Sequence, residues 1–449
     1  MTLDICGAPL SLKTPAALEA WNKMVRAFLA HQAATPQHLG AVLTSEPDFV
    51  MGHAARGLFS LMMGRSELWQ VAEDARTAAH AARAGGPITA REQGWLTALD
   101  RWLADSPTGA VAALEEVLAI CPSDTLSAKA SHAIRFILGD APGMRASIER
   151  VLSAHGSDHP LRGYVMGCHA FTLEETGDYT AAEKAGRAGL VYAPDDAWGL
   201  HAVAHVHDMR AEPDAGIALI ETHKSAWDQS NNFRYHVWWH KALLHLDRGE
   251  FDVALALYDT QIRVEKTDDY RDISNATSLL MRLELEGIKV GNRWEELAEF
   301  SENRVEDGCL VFADLHYMLA LAGAEKGAAK QAMTARFAHD ARQTGDMASR
   351  VADPGVTALA GLNAFAEGRY GDAFVKLADA RPKMQTIGGS HAQRDVFERM
   401  TIDAGLRAGH FDATETILLE RLALRAGNED RFTATRFDRL SRARSIPAQ

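Results

Sequence analysis

Cysteine is scarce in this 449-residue chain. Cys6, Cys121, Cys168 and Cys309 are scattered, with no paired spacing. That argues against a disulfide framework and a cysteine-type zinc site, and it suits a reducing cytosol. Long hydrophobic runs are missing too. The longest strongly apolar stretch, Leu315 to Ala324, falls far short of the roughly 20 residues a membrane helix needs. Basic charge is in deficit: Lys+Arg number 47 against 60 Asp+Glu, for a net charge of −13. An acidic chain is poorly suited to nucleic acid or an anionic membrane, so neither is expected as a partner. The N-terminus shows no basic start, no apolar block and no small-residue cleavage site, so a cytoplasmic location is expected. Alternating Val/Ile/Thr runs are rare, which leaves little room for sheet.

What is abundant is Ala, Leu, Glu and Arg, which favours helix almost throughout. Single glycines recur ahead of an aromatic: Gly177-Asp178-Tyr179, Gly249-Glu250-Phe251, Gly368-Arg369-Tyr370 and Gly409-His410-Phe411. Three residues after each aromatic stands a small residue, Ala182, Ala254, Ala373 or Thr414. This is the turn chemistry of a helical hairpin. The glycine ends one helix, the aromatic plugs the gap, and the small residue lets the backbones approach. Pro194 lies one half-repeat beyond Gly177, as in a tetratricopeptide-like unit. The spacing predicts an all-α fold of such hairpins forming a curved or closed α-solenoid, one domain over 1–449. The clearest units are 164–194, 236–262 and 359–382, with degenerate ones at 99–122, 198–222 and 401–422. Stretches 263–310 and 340–356 read as longer inserts.

The most informative chemistry lies in 198–262. His201 and His205 are four apart, and so are His236 and His240. Each pair occupies one face of a helix, one turn apart. Both fall in first helices of neighbouring hairpins, so they are expected to face one another across an interior pocket. Imidazole is the commonest neutral ligand for transition metals, and the four histidines are candidate ligands for a divalent ion, zinc or manganese. The alternative is that the rings bond carbonyls and pack on Trp198, Trp238 and Trp239; Trp239 then walls the pocket. The loop 228–232 reads as a helix cap, and Arg234 as a reach toward an anionic ligand.

Two further groups stand downstream. Asp314 and His316 open a helical run; an acid beside the His pairs would orient one of them or serve in acid–base chemistry. Gly388-Gly389-Ser390 leads into His391, Gln393, Arg394 and Asp395. Ser390 and Gln393 make a capping box, and free N–H groups after two glycines, completed by Arg394, would suit a carboxylate. Arg431, Arg436, Arg439, Arg442 and Arg444 alternate with Phe432 and Phe437; they read as the solvated face of a terminal helix.

Taken in order, EPDFVMGH (46–53), SDTLSAKASH (123–132), HAVAHVHDM (201–209), HVWWHKAL (236–243), GEFDVALALYDTQI (249–262), DLHYMLA (314–320) and GGSHAQRDVF (388–397) resemble the tetratricopeptide repeat protein 38 family, in a bacterial-type member. The likeness runs from about Glu46 to about Leu424. It departs at 228–235 and in the helices before 100. It implies an all-helical repeat fold and marks His201, His205, His236, His240, Asp314, His316, Ser390, Gln393, Arg394 and Asp395 as the family's polar positions. It implies no settled activity.

Two functions follow as expectations. In the first, an interior pocket binds a small anionic or amide-bearing molecule and hydrolyses it. Water is activated by a metal or by His205 and His240; Arg394 and the N–H groups of 389–390 hold a carboxylate; Asp314 orients a histidine. His201, His236, Arg234, Trp239, Ser390, Gln393 and Asp395 complete the substrate side. In the second, the repeats are a scaffold for a protein or peptide partner without catalysis. A homodimer is compatible with either.

Overall fold

The computed structural model describes residues 2–445. The fold is all-α, built of tetratricopeptide-like helical hairpins, as the turn chemistry predicts. Among the described residues the only strands are Thr2–Leu3 and Pro9–Leu10, paired antiparallel. No helix is long and apolar enough to cross a membrane.

The chain forms two compact units. Unit 1 holds the residues up to Val203 with His223–Arg234 and Gly345–Met347. Unit 2 holds Ala204–Thr222, Tyr235–Thr344 and the chain from Ala348 onward.

In unit 1 the N-terminal ribbon is tied down by a buried carboxylate. Asp4 accepts the N–H groups of Cys6 and Ala8 and the indole N–H of Trp21. Arg91 then bridges Asp4 and Asp124, 2.6 Å from each. Hairpins follow at Ala90–Leu103 with Pro107–Ile120, Thr125–Ile137 with Ala141–Val151, and Arg162–Glu175 with Tyr179–Tyr192. The last shows how the sequence works. Gly177 takes φ +85°, a left-handed conformation that only glycine adopts without strain. Asp178 caps the second helix by accepting the N–H of Ala181. Ala182 is fully buried where the two helices meet. The shared core gathers Leu118, Val151, Val165, Phe171 and Trp198. Burying a side chain of the size of Phe171 contributes about 2–3 kcal/mol.

Unit 2 repeats the pattern at Phe251–Leu257 after Gly249 (φ +75°), at Val356–Ala366 with Tyr370–Ala380, and at His391–Ala408 with Phe411–Leu424. The stretch 263–310, expected as an insert, contains a further helical pair, Tyr270–Leu285 and Arg293–Glu302. Its connection runs through Gly287 and Gly291, both at positive φ, without the following aromatic, so the spacing rule passed over it.

Of the C-terminal arginines, Arg439, Arg442 and Arg444 are exposed as expected, but Arg436 and Arg431 turn inward. Arg436 is fully buried, with Nε 2.9 Å from Asp403 Oδ1 and Nη2 2.8 Å from the carbonyl of Leu285, and it also pairs with Glu286. Arg431 pairs with Glu286 at 2.7 Å. These belong to a buried lattice in which Asp430 meets Arg421 at 2.5 Å, and Asp395 meets Arg399 at 2.5 Å and also Arg421. Burial alone would raise Asp395, but Arg399, Arg421 and Arg282 hold its carboxyl well below the usual range.

Candidate functional site

The site in unit 2 is built from three first helices. Helix Ala197–Met209 supplies His205, helix Phe233–Asp247 supplies His236 and His240, and helix Tyr270–Leu285 supplies Asn275. The i,i+4 spacing stacks His236 over His240 on one face, as expected. All three histidines are buried. His205 Nε2 lies 3.1 Å from His240 Nε2, and His240 Nε2 lies 3.1 Å from His236 Nε2. Three Nε2 atoms therefore converge on one small volume, within 4.8 Å of one another.

The outer nitrogens explain the orientation. His236 Nδ1 lies 3.0 Å from Asn275 Oδ1. An amide oxygen only accepts, so Nδ1 carries the proton and Nε2 presents its lone pair inward. His205 Nδ1 lies 3.4 Å from His391 Nε2, on helix His391–Ala408. Burial drives His236 down to about 3 and, with His205 and His236 adding repulsion, holds His240 well below the ordinary imidazole range. Burial thus favours the neutral form of His236 and His240, the form that ligates metal.

Trp239 forms the wall. It stacks on His236 with centroids 5.2 Å apart and meets His240 edge-on at 4.8 Å. Its Nε1 and the Nδ2 of Asn275 are buried donors without a hydrogen-bond partner. Arg282 lies over Trp239 at 5.4 Å and donates to the carbonyls of Ser278 and Ala392. Burial lowers it to about 9.

The remaining expected residues have these surroundings. His201 lies one turn before His205 but falls in unit 1, where it packs against Phe171, Trp198 and Phe233 at 5.1–5.7 Å. Arg234 donates to the carbonyls of Ser230 and Asn231 and clasps its own loop. Asp314 orients no histidine; it pairs with Arg336 at 2.7 Å, and burial raises its carboxyl to about 6. His316 bonds the carbonyl of Phe312 at 2.8 Å and packs between Phe312 and Phe397. Ser390 and Gln393 do form the capping box. That uses the Ser390 N–H, which donates to Gln393 Oε1 at 3.0 Å, and Arg394 turns back onto the carbonyls of Gly388 and Gly389. The expected anion cradle is therefore not formed, and Asp395 serves the arginine lattice.

Asn275 and His391 were missed as orienting groups. The signal for Asn275 was a polar stripe, Arg271, Asn275, Ser278 and Arg282, at three- and four-residue spacing. It reads as a solvent face, yet Asn275, Ser278 and Arg282 are each about 1% exposed.

No family model matches the chain. Among solved structures it is similar to a human IFIT1 dimer with PPP-AAAA, at 14% identity and a TM-score of 0.44 over 97% of each chain. A human IFIT1 dimer with m7Gppp-AAAA gives 14% identity and a TM-score of 0.42 over the same shares. The tetratricopeptide-like fold rests on the chain's own hairpins.

Proposed function

We propose that unit 2 holds one divalent metal ion, zinc or manganese, on the Nε2 atoms of His205, His236 and His240, and uses it in hydrolysis of a small anionic or amide-bearing molecule. The observation that carries this reading is the pair of 3.1 Å contacts made by a single nitrogen, His240 Nε2. An imidazole nitrogen has one hydrogen or one lone pair, never both. A lone His240 Nε2 hydrogen can aim at one neighbour, which leaves the other contact without a shared proton. An ion between them accepts all three lone pairs at once. Tetrahedral zinc with Zn–N near 2.0–2.1 Å separates its nitrogens by about 3.3 Å, close to what is found.

Asn275 supports the same reading, since a ligating histidine commonly donates its other N–H to a fixed oxygen. Three histidines leave a coordination position for water or substrate. The ion supplies Lewis acidity toward water and a carbonyl. The chain's own residues do the rest: Asn275 and His391 fix ring orientation, Trp239 excludes solvent, and the Trp239 and Asn275 N–H donors suit a carbonyl or carboxylate oxygen. The resemblance to the tetratricopeptide repeat protein 38 family fits this reading and adds no activity to it. A scaffold for a protein or peptide partner is the alternative the fold alone supports.

The test is metal content after incubation of tag-free protein with zinc or manganese and desalting. We expect about one ion per chain in the wild type and none in His240→Ala, with circular dichroism unchanged. No retained ion in the wild type overturns the reading and returns attention to the scaffold.

A further inference from the structure

We propose that unit 1 carries a separate binding site for a small organic carboxylate, held by Lys129, His132 and Trp198. Lys129 and His132 lie on helix Thr125–Ile137, inside the SDTLSAKASH stretch, and Trp198 opens helix Ala197–Met209. All three are more than nine-tenths buried. Lysine is almost never fully buried unless paired. Yet no carboxylate oxygen among the described residues lies within ion-pair distance of Lys129; its ammonium sits 4.3 Å from the centre of the Trp198 ring.

The groups nearest its charge are the Cys168 thiol, the Trp198 ring and one carboxylate, Asp196, that stands beyond ion-pair distance. Cys168 is a neutral thiol, pushed up to about 11 by burial. Asp196 interacts electrostatically with Lys129 from beyond ion-pair distance and accepts from the backbone N–H groups of Gly199 and Trp198, while its Oδ2 is buried without a hydrogen-bond partner. His132 has neither ring nitrogen bonded, and Trp198 Nε1 is equally without a partner. Buried polar groups in folded proteins are nearly always satisfied, by protein, water or ligand. Here a cation, an indole N–H and an imidazole share one aromatic surround: His132 meets Trp198 edge-on at 5.6 Å, and Phe171 and Phe136 lie 4.5 and 5.7 Å from the same indole. A donor-rich polar end beside an aromatic wall matches a carboxylate attached to a small apolar body. The carboxylate would pair with Lys129 and accept from the indole and the imidazole.

The experiment is calorimetric titration of full-length protein with benzoate, acetate and inorganic phosphate, beside Lys129→Met and Trp198→Phe. Benzoate is expected to bind tightest, and Lys129→Met to weaken it at least tenfold. Trp198→Phe keeps the aromatic body and removes the N–H; it should weaken benzoate severalfold, and it decides the matter if Lys129→Met does not fold. The proposal is overturned if neither carboxylate binds, if phosphate binds and the carboxylates do not, or if a folded variant binds benzoate as the wild type does. The outcome is independent of the metal reading, since none of these residues belongs to the histidine site.

Discussion

Unit 2 contains two buried polar clusters of opposite kind. In the arginine lattice every acid meets a guanidinium, and Arg436, Arg421 and Arg399 answer Asp403, Asp430 and Asp395. In the histidine trio like faces like: three nitrogens of one type crowd together, steadied from behind by Asn275 and His391. Matched charges hold elements in place. Unmatched ones stand at a cost to stability unless something outside the chain completes them. The same contrast separates a structural arginine such as Arg436 from Lys129 in unit 1.

The largest break in that comparison comes from the lattice. Asp430→Ala leaves the buried guanidiniums of Arg421, Arg399 and Arg425 short of one carboxylate, with Asp395 still facing Arg421, and removes the cap of helix Arg431–Ser445. Urea unfolding should show a loss of about 3–5 kcal/mol. His240→Ala in metal-free protein should cost less than half of that, because it also relieves a crowded contact. Equal losses would erase the distinction drawn here.

A sharper, smaller effect concerns the support behind the trio. Asn275→Ala should leave the fold intact and weaken zinc affinity by about 10–100-fold in a chelator competition, the usual effect of losing a group that orients a ligand. Unchanged affinity would mean that His236 is oriented by packing on Trp239 alone.

The last comparison sets two aspartates against each other. Asp395 is held low by arginines, whereas Asp196 is raised to about 7, chiefly by burial. The folded state thus holds the Asp196 proton more tightly than the unfolded chain, whose value is near 3.8. Its contribution is full below about pH 4, declines by up to roughly 1.4 kcal/mol per unit as pH rises, and is gone above about 7. Asp196→Asn keeps a neutral cap at every pH. Melting curves from pH 5 to 8 should show the variant gaining on the wild type until about pH 7 and then running parallel. A constant difference would mean that Asp196 does not titrate there.

Much of the fold was legible because a turn is local. Gly177, Asp178, Tyr179 and Ala182 carry the whole instruction for one hairpin within six residues. The histidine pairs were legible for the same reason, since i,i+4 spacing needs only one helix. Partners were not. Asn275 lies 39 residues from His236, and Arg421 lies 26 from Asp395; nothing in a local pattern says which distant helix will face them. Asp314 and Arg394 were misplaced for that reason. Their helices were readable, but Arg336 and the Gly388 and Gly389 carbonyls claimed them first.

The three helices that make the histidine site begin consecutive hairpins. Repeat arrays ordinarily gain and lose units with little penalty, because each unit touches mainly its neighbours. Here His205, His240 with His236, and Asn275 must arrive in that order with nothing inserted or deleted between them. On the proposed reading, inserting or deleting a hairpin within 197–285 would separate these residues, whereas units on either side can be added or lost without touching them.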